Sequence, residues 1–425
     1  METIIIFGTL LLLLITGVPI AVCLGLSSMI YIFFFTEMPR MAVAQKIFTG
    51  LDSFPLMAIP FFVLASNFLS TGQVAARMIR FANSLVGWVR GGLPMAGILS
   101  CIFFAAASGS SPATVVAIGS IMIPALVRNG YDIRFATGVM ACSGSLGILI
   151  PPSIIMIIYG VSTGQSIGKL FIAGIAPGLL LGLMLMAVTY FVVRTKKLGN
   201  PQKFSWKEFF DSGKDAVWGL LLVVIVIGGI YTGIFTPTEA AAVSAVYAFV
   251  IAIFVHREMK WRDAPAVLRE SAGMTSMLFF IIANAMLFAF VLTAENIPHR
   301  FAQWVIANDF SPWSFLLMVN AVLWFAGDFM EPSSVVLILA PIFLPLLEQL
   351  KIDPIHFGII MTMNMEVGMI TPPVGLNLYV AAGISGLGLT AVMRAALPWM
   401  LVMIAALFIV TYVPWISLFL VNFLY

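Results

Sequence analysis

Two segments of the chain share one pattern: Gly147-Ile-Leu-Ile-Pro151-Pro152 and Gly368-Met-Ile-Thr-Pro372-Pro373. Proline removes a backbone donor and moves the residue before it out of α-helical geometry, while glycine permits close approach of another backbone. Because both segments lie in apolar stretches that otherwise suit a helix, each predicts a helix that is broken in its middle. Such a break leaves carbonyl groups free at the end of one half-helix and N–H groups free at the start of the next.

Other landmarks recur around these segments at a nearly constant offset. Ser108-Gly-Ser-Ser-Pro112 precedes the first segment and Gly327-Asp-Phe-Met-Glu331-Pro332 the second, so Pro112 corresponds to Pro332. A looser pair, Thr16–Pro19 and Thr232–Pro237, opens each half. In four further pairs of landmarks, the two members are always separated by the same number of residues: Pro124 and Pro345, Asp132 and Asp353, Gly147 and Gly368, Pro151 and Pro372. The chain therefore carries two copies of one structural plan.

The composition requires a lipid environment. Hydrophobic residues make up 61% of the 425 residues and charged residues only 9%, against about 25% charged in a soluble domain. Since a span needs about 20 apolar residues, the chain has room for roughly ten. The net charge of +3 is small and the basic residues lie in short loops, which argues against nucleic-acid binding. We predict an all-α polytopic membrane protein in the lipid bilayer.

A re-entrant helical hairpin is predicted before each broken helix. Ser108–Pro112 interrupts an apolar stretch over residues 93–126 that has arginines on both sides. A hairpin that enters and leaves by the same face accounts for both features, because non-helical backbone at membrane depth must be buried in protein or line a cavity. We expect Ser111 to cap the outgoing limb with Pro112 in its first position, and Glu331-Pro332 to do the same in the second half.

The distribution of Lys and Arg sets the orientation, because cytoplasmic loops carry an excess of both. With five spans and one hairpin per half and the N-terminus outside, 16 of the 21 basic residues lie on the cytoplasmic side. An odd number of spans turns the second half upside down and gives two inverted repeats. This count treats Ile4–Phe35 as two short spans that are separated at Gly17–Pro19. If the segment were a single long helix, the number of spans per half would no longer be odd and the two repeats would not be inverted. A polar segment, residues 194–215, is expected to link the halves as a cytoplasmic interfacial helix with snorkelling lysines.

The cysteines, the histidines and the search for catalytic motifs point to no disulfide, metal site or enzyme. The three cysteines lie in apolar runs and are expected to be buried without disulfides. The three histidines are expected in loops, which argues against a proton relay or a metal site. ATP-binding, metalloprotease and serine-hydrolase motifs are missing from the sequence, so we expect neither an enzyme nor an organic cofactor. The three cysteines are Cys23, Cys101 and Cys142, and the three histidines are His256, His299 and His356.

Acidic residues within apolar segments are candidates for function, because they are expensive to insert into a membrane. Asp328 and Glu331 lie at the second hairpin tip, where an ion-site or anchoring role is expected, and Glu366 lies just before the second break. Glu239, in Thr236-Pro-Thr-Glu239, is a possible coupling acid; a capping role at an interfacial turn is the equal alternative. Free carbonyls near the breaks suit a hard cation such as Na⁺, and helix N-termini suit a carboxylate.

Four glycine- and proline-rich strings resemble the large membrane (M) subunit of tripartite ATP-independent periplasmic (TRAP) transporters, and the similarity covers essentially the whole chain. The resemblance implies Na⁺-driven uptake of organic acids by an elevator mechanism in the bacterial inner membrane. It also implies two partners, a small membrane subunit on a separate chain and a periplasmic substrate-binding protein. The strings are Gly17-Val-Pro-Ile-Ala21, Leu146-Gly-Ile-Leu-Ile-Pro-Pro-Ser153, Gly229-Ile-Tyr-Thr-Gly-Ile-Phe-Thr-Pro-Thr-Glu-Ala-Ala-Ala242 and Thr371-Pro-Pro-Val-Gly-Leu-Asn377.

The resemblance assigns candidate binding residues and blocks. Na⁺ would bind around Ser108, Ser110, Gly147, Ile150 and Pro152 in the first half, and around Gly327, Gly368, Thr371 and Val374 in the second. Ser111, Asp328, Glu331 and Asn377 are candidates for the substrate or the hairpin tips. Mobile transport blocks would cover residues 93–168 and 312–388, and scaffold helices residues 1–92, 169–311 and 389–425.

The substrate stays open between sialic acids and C4-dicarboxylates, and the overall likeness leans slightly toward sialic acid. A stand-alone Na⁺-coupled anion transporter of the same inverted-repeat architecture is the alternative to a subunit that needs partners.

Overall fold

A computed structural model describes residues 2–70, 73–196, 198–199, 203–257 and 259–424. Within those ranges the regular structure is helical throughout, as the composition predicts. The helices of the first half are α1 (Glu2–Ile15), α2 (Ile20–Phe35), α3 (Met41–Leu51), α4 (Ala58–Ser70), α5 (Val74–Val86), α6 (Gly92–Ser108), α7 (Ser111–Arg128), α8 (Ile133–Gly144), α9 (Ile154–Thr163) and α10 (Ile167–Thr195). Those that follow are α11 (Trp206–Val223), α12 (Gly229–Tyr231), α13 (Pro237–Val250), α14 (Ala264–Ala294), α15 (Ile297–Ala307), α16 (Pro312–Phe329), α17 (Pro332–Gln349), α18 (Pro354–Gly368), α19 (Leu376–Ser385), α20 (Leu389–Tyr412) and α21 (Trp415–Leu424).

The predicted hairpins and broken helices are present in both halves. In the first half, α6 and α7 form the hairpin, and α8 continues as a 3₁₀ turn (Ser145–Ile148) before the break that precedes α9. In the second half, α16 and α17 form the hairpin, and a break separates α18 from α19. The Pro151–Pro152 and Pro372–Pro373 bonds at the two breaks are both cis. The sequence duplication is therefore also a structural one.

The first residues form two helices, as predicted. The chain between α1 and α2 turns at Thr16–Pro19, where Gly17 adopts a left-handed conformation with φ of +80°. Glu2 at the start of α1 pairs with Arg300 (2.8 Å), and Tyr31 near the end of α2 lies close enough to Glu2 to interact electrostatically. The start of α1 and the end of α2 thus lie at one face, so the two helices run antiparallel.

Eight of the described helices are long and apolar enough to cross a membrane by length and composition, or nine if the bent pair α3–α4 counts as one span. That pair bends by 60° around Phe54, whereas its counterpart in the second half, α14, is one continuous helix of 31 residues. The hairpin limb α6, both halves of the first broken helix, and α1 and α2 are shorter apolar helices. The chain is a multi-pass membrane protein.

The prediction of a separate interfacial helix between the halves is wrong. A single helical segment begins at Trp206 and runs through a π-helical stretch (Val224–Gly228) to Tyr231. Residues 206–215 are therefore the first turns of a spanning helix, because no proline interrupts the chain where its polar part becomes apolar. Residues 196–205 remain as the connection, and of the predicted linker residues 197 and 200–202 lie outside the described part of the chain.

The two halves are interlocked. Helix α19, which follows the second break, packs against α7 of the first hairpin, and α9, which follows the first break, packs against α17 of the second hairpin. Two further helix pairs pack across the halves, α4 against α13 and α2 against α14. The hairpins and breaks therefore pack on each other across the halves, and so do these other helices, with α14 also in contact with α17 and α4 with α6.

Candidate functional site

The tip of the first hairpin lies directly on the first helix break. Gly109 ends α6 in a left-handed conformation (φ +60°), and its carbonyl accepts a hydrogen bond from the Ile154 amide at 3.4 Å. A Cβ on Gly109 would lie 2.8 Å from the Pro152 carbonyl oxygen, and one on Gly147 would lie 2.5 Å from the Ser110 carbonyl oxygen. The backbones therefore touch on both sides of the break, as the glycine spacing predicts.

Hydroxyl groups gather at this contact. The Ser108 hydroxyl lies 2.9 Å from the Thr114 hydroxyl and 3.3 Å from the Ser110 carbonyl oxygen. Thr114 also donates to the Ser110 carbonyl at 2.9 Å. Ser108 and Ser110 were predicted from the sequence but Thr114 was not, although its place one turn into α7 was an available signal. Ile150 is also buried, and its side chain packs beside Gly178 of α10.

The second tip and break repeat this contact. A Cβ on Gly368 would lie 2.8 Å from the carbonyl carbon of Gly327, and the Val374 amide donates to the Asp328 carbonyl at 3.3 Å. The Val374–Asp328 bond joins tip and break in the second half as the Ile154–Gly109 bond does in the first, with each partner shifted by one residue in the repeat. The Thr371 hydroxyl donates to the Val367 carbonyl at 2.6 Å and accepts from the Trp324 indole at 3.2 Å. Trp324 was not predicted.

One side chain joins the two halves of the site. The Asn377 amide donates to the hydroxyls of Ser111 (2.6 Å) and Ser145 (3.0 Å), and all three residues are fully buried. The carbonyl oxygen of the same amide, Oδ1, is buried and has no hydrogen-bond partner among the described residues. Because Asn377 follows the second break and Ser111 begins the first hairpin's outgoing limb, this contact fixes one half of the site to the other.

The capping predictions are half right. Glu331 caps α17, with its carboxylate accepting from the Ser334 amide at 3.2 Å and from the Ser333 hydroxyl at 2.8 Å. In the first half, Ser110 occupies the cap position of α7 and Ser111 lies one residue inside the helix, so Ser111 is not the cap. Its hydroxyl is instead held by Asn377, a contact between distant segments that local sequence cannot reveal.

Two further acids lie in or near the second half of the site with unpaired oxygens. Asp328 at the tip is partly buried, and Glu366 in α18 is 1% exposed. Within the described chain, one oxygen of each carboxylate (Asp328 Oδ1 and Glu366 Oε1) is buried without a hydrogen-bond partner. Unpaired buried carboxylate oxygens are costly, so both groups are candidates for contact with a bound ligand.

Glu239 belongs to a different part of the molecule. It is exposed, its carboxylate accepts from the Thr236 amide at 2.8 Å, and its own amide donates to the Thr236 hydroxyl at 3.3 Å. The two residues form a complete capping box at the start of α13. The capping interpretation is the one that this geometry supports.

The expectation that the histidines lie in loops is wrong for two of them. His299 lies in α15 and is exposed, whereas His356 lies in the first turn of α18 and is 2% exposed. The His356 ring lies 2.7 Å from the Ser417 hydroxyl and 3.2 Å from the Thr411 carbonyl oxygen. Asp353 caps this helix and Pro354 is its first residue, and this start signal in the sequence could have shown that His356 lies inside the helix.

A buried polar chain continues from this point toward the second tip. Asn320 of α16 donates to the Thr411 hydroxyl at 3.2 Å, and Asn364 of α18 donates to the Asn320 side-chain oxygen at 2.8 Å. Asn364 also lies beside Gly327, since a Cβ there would be 3.9 Å from the Asn364 carbonyl oxygen. This chain was not predicted, although asparagine in an apolar helix signals a specific partner.

Comparison with known proteins decides the family. The family model described as "Tripartite ATP-independent periplasmic transporter, DctM component" matches residues 7–416. The chain belongs to this DctM family. A C4-dicarboxylate TRAP transporter large permease protein DctM of Pseudomonas aeruginosa is 56% identical over 401 residues, which cover 94% of each chain. DctM proteins are transporter permeases and not enzymes, so the expectation about catalysis is confirmed.

Two more distant DctM relatives carry other substrate names. An isethionate TRAP transporter permease protein DctMQ of Oleidesulfovibrio alaskensis is 43% identical, over 98% of this chain and 66% of that protein. A sialic acid TRAP transporter permease protein SiaT of Haemophilus influenzae is 34% identical, over 97% of this chain and 67% of that protein. Among solved structures, the YdaH transporter of Alcanivorax borkumensis matches with a TM-score of 0.64 at 16% identity, covering 88% of this chain and 87% of that one. That likeness supports the fold of a DctM protein and nothing about its substrate.

Proposed function

We propose that this permease takes up C4-dicarboxylate-type organic acids across the bacterial inner membrane, driven by Na⁺. The observation that carries the proposal is the contact of a hairpin tip with a helix break, which occurs in both halves. The carbonyls of Gly109 and Asp328 each accept a long hydrogen bond, at 3.4 and 3.3 Å. Such oxygens keep a lone pair for a hard cation.

The first Na⁺ would bind at the tip around Ser108 and Ser110, with Gly147, Ile150 and Pro152 on the side of the break. The second would bind among Gly327, Gly368, Thr371 and Val374. The hydroxyls of Ser108 and Thr371 are buried and point at neighbouring carbonyls, so each can turn to a cation without a large rearrangement. Na⁺ is here a transported coupling ion and not a resident cofactor.

The substrate would lie beside the tips, near Ser111, Asp328, Glu331 and Asn377. Helices α7 and α19 begin there, and helix N-termini favour carboxylates. The unpaired Asn377 oxygen would accept from a hydroxyl or from a protonated carboxyl group. The C4-dicarboxylate class is favoured over sialic acid because the relative named for it is 56% identical, against 34% for the one named for sialic acid. These identities do not support the slight preference for sialic acid that the sequence alone suggested.

Movement of a rigid block is the proposed transport step. The hairpins and breaks pack on each other across the halves, and the buried Asn377–Ser111 bond ties them together. The packing of α4 against α13 and of α2 against α14 across the halves supports a stationary scaffold. We therefore propose an elevator-type movement of the hairpins and breaks against this scaffold.

Two partners are proposed, a small membrane subunit and a periplasmic binding protein. The family description names a tripartite transporter, and the relative named DctMQ extends beyond this chain by a third of its length. A stand-alone transporter is the competing function. The chain should be reconstituted in liposomes alone, with the small subunit, and with both partners, and uptake of labelled succinate measured with and without a Na⁺ gradient. Na⁺-dependent uptake that needs both partners supports the proposal, and full uptake by the chain alone contradicts it.

A further inference from the structure

A groove of about 400 Å³ separates the first helix of the chain from the second hairpin. Helix α1 forms one wall, α16 the other and α17 the floor, and every residue that lines the groove is apolar. We call this space the α1–α16 groove. Representative lining residues are Phe7, Leu11 and Leu14 in α1, Val322 and Phe325 in α16, and Ile338 in α17.

The groove is open to the hydrocarbon of the membrane. Ile338 on its floor is 3% exposed, whereas Leu11 and Phe325 on its two rims are 57% and 69% exposed. These rims belong to apolar helices of a multi-pass membrane protein, so they face lipid. Water finds no hydrogen-bond partner on such walls, and an apolar molecule must therefore fill the groove.

The outer end of the groove lies beneath α15. Arg300 of α15 lies 2.8 Å from Glu2, which precedes Phe7 on α1 by about one and a half turns. Phe301 of α15 contacts Phe343 of α17, with ring centroids 6.0 Å apart. Because the second hairpin is predicted to enter from the outer face, the groove lies in the outer leaflet and α15 lies at the level of the lipid headgroups.

The charges at this end suit a zwitterionic headgroup. The Arg300 side chain is 56% exposed, and both Glu2 and Glu295 lie close enough to interact with it electrostatically. One guanidinium and two carboxylates offer a partner to the phosphate and to the ammonium group of phosphatidylethanolamine. An anionic headgroup would meet an excess of negative charge here.

The size of the groove distinguishes an acyl chain from a partner helix. Phe7 and Leu14 lie seven residues apart, so the groove runs for about 10 Å along α1. A helix is about 10 Å across, and a segment of that length would fill roughly 800 Å³. That is about twice the volume of the groove, whereas an acyl chain is a single file of methylene groups and fits inside it.

We propose that the α1–α16 groove binds one acyl chain of an outer-leaflet phosphatidylethanolamine, which reaches the second hairpin tip at Met330. Helix α1 packs on α2 and, through the rings of Phe7 and Phe288 at 5.8 Å, on α14. It is therefore held by the scaffold, while α16 and α17 form the hairpin. A flexible chain can change shape as the tip passes α1 and still keep water out, and this role in movement rests on the proposed function.

A photoreactive lipid tests the groove directly. The permease, with and without its small subunit, would be placed in vesicles of phosphatidylethanolamine and phosphatidylglycerol. A fraction of the phosphatidylethanolamine carries a diazirine in the middle of one acyl chain, and mass spectrometry maps the adducts. We expect adducts at Leu11 and Val322 well above those at Leu12, which is 64% exposed but lies outside the groove.

Two tryptophan variants fill the groove and one matched variant does not. Leu11→Trp should remove the adducts at Val322 and slow uptake severalfold without changing the Na⁺ concentration for half-maximal uptake. Leu12→Trp places the same ring one residue away and should keep both the adducts and the uptake rate. Ala321→Trp, on the opposite wall, repeats the test should Leu11→Trp fail to fold.

Three results overturn the inference. Equal adducts at Leu11 and Leu12, or adducts at Val322 that persist in Leu11→Trp and Ala321→Trp, would show that no chain is held in the groove. Adducts that disappear when the small subunit is added would show that a partner helix covers it. A phosphatidylglycerol probe that labels the groove equally would overturn the headgroup assignment. Labelling needs no transport, so wild-type uptake without Na⁺ dependence would contradict only the proposed function.

Discussion

Gly368 rests against the backbone of Gly327: a Cβ on Gly368 would lie 2.8 Å from the Gly327 carbonyl carbon and 2.9 Å from its oxygen. No residue with a Cβ fits this gap unless the tip moves. The same relation holds between Gly147 and Ser110 in the first half, at 2.5 Å from the carbonyl oxygen. The two glycines thus set the distance between carbonyls of the tip and carbonyls of the break.

The Thr371 hydroxyl should contribute to Na⁺ affinity. Thr371→Ala removes the oxygen and should raise the Na⁺ concentration for half-maximal uptake by roughly tenfold, the effect of losing one buried interaction of about 1.4 kcal/mol. Thr371→Ser keeps the oxygen and should stay near wild type. Trp324→Phe is the control, since it removes the donor to Thr371 but leaves the hydroxyl; an equal shift in Trp324→Phe would show that positioning alone explains the effect.

Asn377 should couple the two halves of the site. Asn377→Ala leaves the buried hydroxyls of Ser111 and Ser145 without their donor and should lower the stability of the permease by about 1–3 kcal/mol. Thermal unfolding in detergent measures this for Asn377→Ala, Ser111→Ala and the double variant. We expect the double variant to be less destabilised than the sum of the singles. Simple additivity would mean that the Asn377–Ser111 bond contributes nothing to stability.

Glu239 should behave as a capping residue. Glutamine also suits this position of a capping box, so Glu239→Gln should keep the wild-type Na⁺ activation curve and nearly all of its stability. Thr236→Ala removes the cap and should cost about 0.5–2 kcal/mol of stability, measured by thermal unfolding. A shifted Na⁺ curve in Glu239→Gln would restore the coupling interpretation.

The orientation can be tested by cysteine labelling in intact cells. Lys203→Cys, before α11, should be protected from an impermeant thiol reagent, and Asn308→Cys, after α15, should react with it. Both positions are exposed, so access to the reagent depends on sidedness alone. Labelling of Lys203→Cys from outside would reverse the topology and, with it, the leaflet assigned to the α1–α16 groove.

Local chemistry explains which parts of this fold can be predicted from sequence. Proline and glycine act on their own backbone, so the breaks at Pro151 and Pro372 and the turn at Gly17 follow from residue types alone. The nearly constant offset between matching landmarks then links the two halves. Contacts between distant segments carry no such local signal, which is why the Asn377–Ser111 bond and the pairing of Arg300 with Glu2 emerge only from the structure.

Predictions failed where polarity was taken to mean a loop or an interfacial segment. The charged residues 206–215 belong to a spanning helix, and His356 is buried in α18 because its neighbours satisfy both ring nitrogens. Ser111 was expected to cap α7, and it lies one residue inside that helix. Polar residues of a membrane protein are placed by the partners they find, and these partners lie far away in the sequence.

The proposed cation sites are best tested by the Na⁺ activation curve of uptake, measured in proteoliposomes that contain both partners. Gly147→Ala and Gly368→Ala place a Cβ where the tip must move, so each should flatten the curve or shift it by about tenfold or more, the equivalent of losing one ligand at roughly 1.4 kcal/mol. Gly383→Ala is the matched control, because nothing lies within 4 Å of its Cβ position in α19, and it should follow the wild-type curve. Wild-type curves for both Gly147→Ala and Gly368→Ala would contradict the proposal and place the cation sites elsewhere.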